Sequence, residues 1–169
     1  MAELAPRERL QPSLLDRLSD DEPAASSEPR ERRVLSLRTL RAGVLRDLAW
    51  LLNTTNLLSV VDYADLPQVG NSVLNYGIPA MAGHGVTGMD VAKLERGIRQ
   101  AIWDFEPRLI RASVSVKARV DAEERNRLTF DIEADLWAQP YPERLYLKTE
   151  LDLERGAVAI SEMNGRSLA

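Results

Sequence analysis

The chain has 169 residues, 44% of them apolar and 28% charged, with a net charge of −4 and no cysteine. That suits one globular domain plus a tail and excludes disulfides and thiolate metal sites. No segment approaches the roughly 18 apolar residues of a membrane span and MAELAPRERL has no signal-peptide stretch, so a cytoplasmic protein without membrane insertion is expected.

Residues 1–33 read as a flexible tail, because SDDEPAASSEPRERR is built of prolines, serines and charges that cannot offset their ordering entropy. Within it SLLDRL (13–18) stands out. Ser13 and Asp16 have capping-box spacing, with Asp in place of Glu or Gln, and Leu14, Leu15 and Leu18 share one helical face. So short a helix needs a surface to lie on, belonging either to this domain or to a partner.

The domain proper is expected over 34–162. Its first helix runs over 34–52 on the stripe Leu37, Leu40, Val44, Leu48 and Leu51, and NTTN at 53–56 stops it. The stretch from 57 to 88 is punctuated by Pro67, Gly70, Gly77, Pro79, Gly83 and Gly85, which predicts a structured connection with one helical turn over 72–76. A second helix starts near Thr87, paired with Asp90 in another capping-box spacing, and buries Val91, Leu94, Ile98, Ile102 and Phe105. Pro107 ends it at Glu106.

Strands follow. Apolar residues alternate from Ile110 to Val120, from Leu128 to Leu136, and from Leu145 to Leu153 with Thr149 among them; a last short strand covers 157–160. The short polar connections predict an antiparallel meander, and the basic face of the first strand suits the acidic face of the second. The fold class is therefore α+β: a small antiparallel sheet of three to four strands with helices on one face. In a three-stranded meander the edges are residues 110–120 and 145–153, and the latter is the less covered.

Charge is uneven along the chain. Residues 30–50 carry six arginines against Glu31 and Asp47, whereas 121–155 carry ten acidic and five basic residues. The asymmetry suits subunit contacts or plain solubility; the basic stretch is too short, and too poor in interleaved aromatics, for nucleic acid.

Little in the chain points to catalysis. The single histidine, His84, lies between glycines without a GxSxG nucleophile motif or cysteine partners. GHGVTG lacks the GK[ST] of a phosphate loop. Asp104 and Glu106 are two apart and do not face each other on a helix; a carboxylate at a helix C-terminus also needs a cationic partner, and Arg108 is the nearest. An arginine partner holds a carboxylate ionised, whereas a glycosidase acid needs a raised pKa. Pro107 explains where the helix ends; it does not explain why Glu106 and Arg108 flank it.

The ordered set SLLDRL, VLRDLAWLLNT, SVLNYGIP and FEPRL, spanning about residues 10–160, resembles the baseplate wedge subunits of contractile injection machines. That family includes TssE of type VI secretion and phage-tail relatives called "lysozyme-like". The resemblance implies a structural subunit without catalytic residues, cofactor or metal, assembled on a baseplate at the inner face of the cytoplasmic membrane. It implies TssF, TssG and TssK as wedge partners and the TssB/TssC sheath as a further one. Glu106, Pro107 and Arg108 match the family's motif at the junction with other wedge subunits, and a sheet edge is implied to template the first sheath ring. On that basis Arg108→Ala is expected to weaken assembly more than folding. A peptidoglycan-hydrolysing enzyme and an unrelated interaction adaptor remain as other readings.

Overall fold

The computed structural model describes residues 13–18, 37–61, 65, 67–80, 90–120, 127–138, 142–152 and 157–162. The remainder of the tail expected over 1–33, His84 and its glycines, and Leu153 lie outside them.

Among the described residues three α-helices and four strands follow in the order α1 (Leu14–Leu18), α2 (Leu37–Leu52), α3 (Val91–Phe105), β1 (Ser115–Val120), β2 (Arg127–Leu136), β3 (Glu143–Asp152) and β4 (Ala157–Glu162). The strands form one antiparallel sheet in the order β1-β2-β3-β4. Leu128, Phe130, Ile132, Ala134 and Leu136 of β2 all point into the core, as do Leu145, Leu147 and Leu151 of β3. Against that face lie Leu40, Val44, Leu48 and Leu51 of α2 and Leu94, Ile98 and Ile102 of α3. The α+β class, with helices on one face, is as the periodicity predicts. Leu37, expected in the stripe, is exposed, so burial begins one turn later.

Thr149 joins the leucines of β3 because its hydroxyl donates to the Phe130 carbonyl at 3.1 Å, which satisfies it in an apolar setting. On the outer face Arg119 of β1 meets Asp131 of β2, the cross-strand pairing the charge pattern predicts, and Arg144 of β3 meets Asp135 at 2.6 Å.

Two boundaries differ from the sequence reading. Asp90 is the N-cap of α3 rather than its third residue: its carboxylate accepts from the Lys93 N–H at 2.9 Å, and Thr87 lies outside the described residues. The strand expected from Ile110 starts only at Ser115. Ile110 does pair with β2, donating to the Asp135 carbonyl at 2.8 Å, but a 3-10 turn over Arg111–Ser113 interrupts the ladder. There the Ser113 hydroxyl accepts from the Asp135 N–H and donates to the Ile110 carbonyl, both at 2.7 Å. A side chain takes the place of a strand rung.

A third correction concerns the edges. β4 pairs with β3 over Leu147–Asp152, so the edges are β1 and β4, and that part of the expected 145–153 edge is interior. Each edge is partly occupied by a helix-borne side chain. On β4 the Asn53 carboxamide makes both bonds a strand would make, to Val158 N and O at 2.9 Å. On β1 the Ala118 N–H donates to Glu95 at 2.7 Å. Such blocking is a common defence against edge-to-edge association.

The connection after α2 is anchored at both ends. Ile78 donates to the Thr54 carbonyl at 2.8 Å, and its own carbonyl accepts from the Asn56 N–H at 2.9 Å. Gly77 permits this pinch, since its φ is 121° and a Cβ would lie 2.3 Å from the Thr54 oxygen. Buried Asn75 braces the interior, accepting from the Leu58 N–H at 3.0 Å and donating to the Gly70 carbonyl at 2.9 Å. The turn expected over 72–76 is a 3-10 turn, Val73–Asn75, capped by Ser72.

Candidate functional site

α3 ends where proline requires. Glu106 is its C-cap, donating to the Ile102 carbonyl at 2.9 Å with a non-helical ψ of 76°. Two residues later the Arg108 carbonyl accepts from the Trp137 N–H at 2.8 Å, and Leu109 bridges Leu136. The Glu-Pro-Arg turn is thus clamped between a helix end and the end of β2.

That clamp points the two charges at each other. Arg108 Nε donates to one oxygen of Glu106 at 2.7 Å and Nη2 to the other at 2.5 Å, while the Arg108 backbone N–H adds a 3.1 Å bond. Glu106 is only 3% exposed and Arg108 20%. The pair is thus already withdrawn from water in the free chain, which removes the ground for expecting Arg108→Ala to affect folding less than assembly. Arg108 holds a buried carboxylate within the fold, and its loss must destabilise the chain itself.

The pair does not stand alone. Arg108 Nη2 also reaches Asp47 at 2.6 Å; Asp47 accepts from Nε and Nη2 of Arg46 at 2.9 and 2.8 Å; and Arg46 Nη1 donates to Asp16 at 2.5 Å. Charges alternate along the line Asp16, Arg46, Asp47, Arg108, Glu106. Burial opposes the Arg108 cation, but Glu106 and then Asp47 outweigh it and its pKa shifts upward. The Arg46 hydrogen bond, opposed by some desolvation, holds Asp16 below the usual carboxylate range.

This line borders a cleft of about 250 Å³ between α1, α2 and the end of α3. Tyr76 and Phe105 form one wall, edge to face at 5.2 Å, and Trp50 with Arg46 over its ring at 5.1 Å forms another. Burial, then the charges of Asp47 and Glu106, pushes the Tyr76 hydroxyl pKa upward.

α1 closes the cleft on its remaining side, held by its polar residues. The Asp16 N–H donates to the Ser13 hydroxyl at 3.3 Å, as in a capping box. The shorter Asp side chain accepts the Ser13 hydroxyl itself at 2.8 Å rather than a backbone N–H, and turns its other oxygen to Arg46. Leu14 and Leu18 face outward, 69% and 75% exposed, and Leu15 lines the cleft.

The residue model of the family described as baseplate wedge protein gp25 matches residues 38–141, more than half of the chain. The chain belongs to that family. No curated protein and no solved structure matches it. The match takes in every member of this baseplate wedge protein's charge line except Asp16, and leaves α1, β3 and β4 outside. A structural role in a baseplate, in contact with other baseplate components, is what the family supports.

Of the residues singled out from sequence, Glu106, Arg108 and Leu15 line the cleft, whereas Pro107 is exposed beside it and Leu14 and Leu18 face outward. Asp104 is not brought to Glu106; it binds Gln100 at 2.9 Å and Arg111 at 3.2 Å. The carboxylate that does join is Asp47, which sequence reasoning missed together with Arg46 and Tyr76. A signal was present: Asp47 is an acid in an arginine-rich helix, beside the buried stripe at Leu48.

Among the described residues there is no cluster of His, Cys, Asp and Glu that would hold a metal. No helix among them is long and apolar enough to cross a membrane.

Proposed function

We propose that the chain is a TssE-like structural wedge subunit of a type VI secretion machine. It joins TssF, TssG and TssK through the turn Glu106, Pro107 and Arg108, which presents Pro107 and the partly exposed Arg108 while buried Glu106 orients the arginine, and through Leu14, Leu15 and Leu18, and it seeds the TssB/TssC sheath. It acts without catalysis, on a cytoplasmic baseplate at the inner face of the membrane. One observation carries the reading: in a baseplate wedge family member, a bidentate Glu-Arg pair is braced by a second carboxylate beside a largely apolar cleft, which favours a specific protein contact. Co-elution with purified TssF and TssG tests it, and separate elution at micromolar concentrations sinks it. Muropeptide release from peptidoglycan that vanished in Glu106→Gln would favour the hydrolase reading instead.

For the sheath we favour the β4 edge over β1. α3 packs along β1 and Glu95 takes a rung in mid-strand, whereas Asn53 takes only the rung near the start of β4. Strand groups alternate sides, so Ile160 presents its N–H and C=O to the same side as Val158. Ile160→Pro should leave wedge assembly intact and block sheath nucleation. A folded Ile160→Pro chain that nucleates sheath normally excludes this edge.

A further inference from the structure

We propose that Arg46 is the anchor of a docking seat for a carboxylate-bearing segment of a wedge partner, and that Asp16 of α1 occupies this seat in the unassembled chain as a stand-in. The identity of the occupant rests on the wedge reading above; the seat does not.

The seat is fixed independently of α1. Nε and Nη2 of Arg46 are held by Asp47, Asp47 is held in turn by Arg108, and the guanidinium lies over the Trp50 ring. Nη1 alone goes to Asp16. Taking Asp16 away therefore leaves a pre-oriented donor that matches one carboxylate oxygen. It also leaves two guanidinium groups, Arg46 and Arg108, against two carboxylates, Asp47 and Glu106, so an incoming acid restores the alternation rather than meeting an excess of negative charge. Gly43 lies at the floor of the seat: a Cβ there would sit in van der Waals contact, 3.4 Å from Asp16 Oδ2 and 3.8 Å from Arg108 Nη1. The apolar walls at Trp50 and Leu51 offer an adjoining surface to a partner's nonpolar side chains.

The present occupant is suited to leave. α1 has five residues, far below the length at which a helix holds itself. Two of its three leucines face away from the domain. Its ion pair is solvent-accessible at both ends, 28% at Asp16 and 36% at Arg46, where such pairs contribute little. Residues 19–36 separate it from α2 in the chain, and its departure would carry its leucines to the partner. A competing cis segment lowers apparent affinity by the fraction of time that it is seated.

The two ends of one ion pair then have opposite effects. With the full chain, Asp16→Asn should tighten binding to the co-eluting wedge subunits by about three- to fivefold, because the stand-in is released. Arg46→Gln should weaken it by about tenfold, as loss of a charge-assisted contact does. Thermal unfolding checks that both chains are folded, and Arg46→Lys serves as a milder variant if Arg46→Gln is not. If Asp16→Asn weakens binding or leaves it unchanged, α1 belongs to the bound surface and the proposal is overturned. A second arm needs no wedge protein. Millimolar peptide LQPSLLDRLS, added to the full-length Asp16→Asn chain, should shift the Trp50 indole NMR signal, and its Asp→Asn version should not. Equal shifts, or none, overturn the seat. Peptide binding with no wedge binding by the wild-type chain would keep the seat and overturn the wedge reading.

Discussion

The charge line has two ends that use the same chemistry under different conditions. At one end Glu106 and Arg108 form a bidentate pair with the carboxylate out of water; at the other Asp16 and Arg46 form a pair of equal length, 2.5 Å, that water reaches from both sides. Length alone does not rank them. Desolvation does: a buried carboxylate that loses its cation keeps its burial cost, whereas an exposed one is rehydrated. The first end is accordingly part of the fold, and the second is an attachment.

Removing Arg108 is the strongest way to break this comparison. Arg108→Ala leaves Glu106 buried with Asp47 as a nearby like charge, and should lower unfolding free energy by about 3 kcal/mol, read from chemical denaturation. Adding Glu106→Met should recover a large part of that loss. A single-variant loss below about 1 kcal/mol would mean that water reaches Glu106 once Arg108 is gone, and the contrast between the ends would collapse.

Asp47 joins the ends, so it sharpens the comparison. Asp47→Asn keeps one acceptor but loses the charge that braces both arginines, and should cost about 1–2 kcal/mol. Combined with Arg108→Ala it should cost less than the sum, since both act on one network. Additive losses would show that Arg108 and Arg46 are held independently.

These two residues also show how far the sequence could be read. Glu106, Pro107 and Arg108 were legible because helix termination and charge pairing are local, and the α+β class was legible because periods of 3.6 and 2 are written along the chain. Asp47 was not, because its partner lies sixty-one residues away and no local pattern reports which helix faces the turn. The interruption at 111–113 was hidden for a related reason: Ile110, Ala112 and Val114 keep strand alternation while Ser113 supplies a rung from its side chain. The edges were misread because the third strand is strongly patterned and the fourth is short, so counting strands by pattern strength puts the edge one strand too early.

Asn53 offers a smaller contrast at the sheet. Asn53→Ala removes two bonds to Val158 at an exposed site and should cost about 1 kcal/mol. It also uncovers the first rung of β4, so self-association should rise in sedimentation experiments while Glu95→Ala, which frees a single donor on β1, has the lesser effect. Equal association by the two variants would show that the edges are equally guarded.

The smallest effect belongs to the exposed end and is best sought with pH. Asp16 has a lowered pKa in the folded chain, chiefly through its hydrogen bond to Arg46 and against some desolvation. A carboxylate whose pKa falls on folding contributes stability that is fully present above its unfolded value, near 4, and lost as pH drops through the folded one. Docking of α1 should therefore hold at neutral pH, begin to weaken below about pH 4 and be lost as pH drops through the lower folded-state value, with global stability changing by less than about 1 kcal/mol on account of Asp16. Asp135, paired with Arg144, shifts in the same direction, so a global melt cannot separate the two. A local probe can: the methyl NMR signal of Leu15, which lines the cleft, should move toward its unstructured position on acidification, and in Asp16→Asn it should sit there already at pH 7. Raising salt to about 1 M at neutral pH should push the wild-type signal the same way, since the pair is open to screening. If the Leu15 signal is unchanged by acid, by salt and by Asp16→Asn alike, α1 is held by something other than Arg46, and the two ends of the line no longer differ in the way desolvation requires.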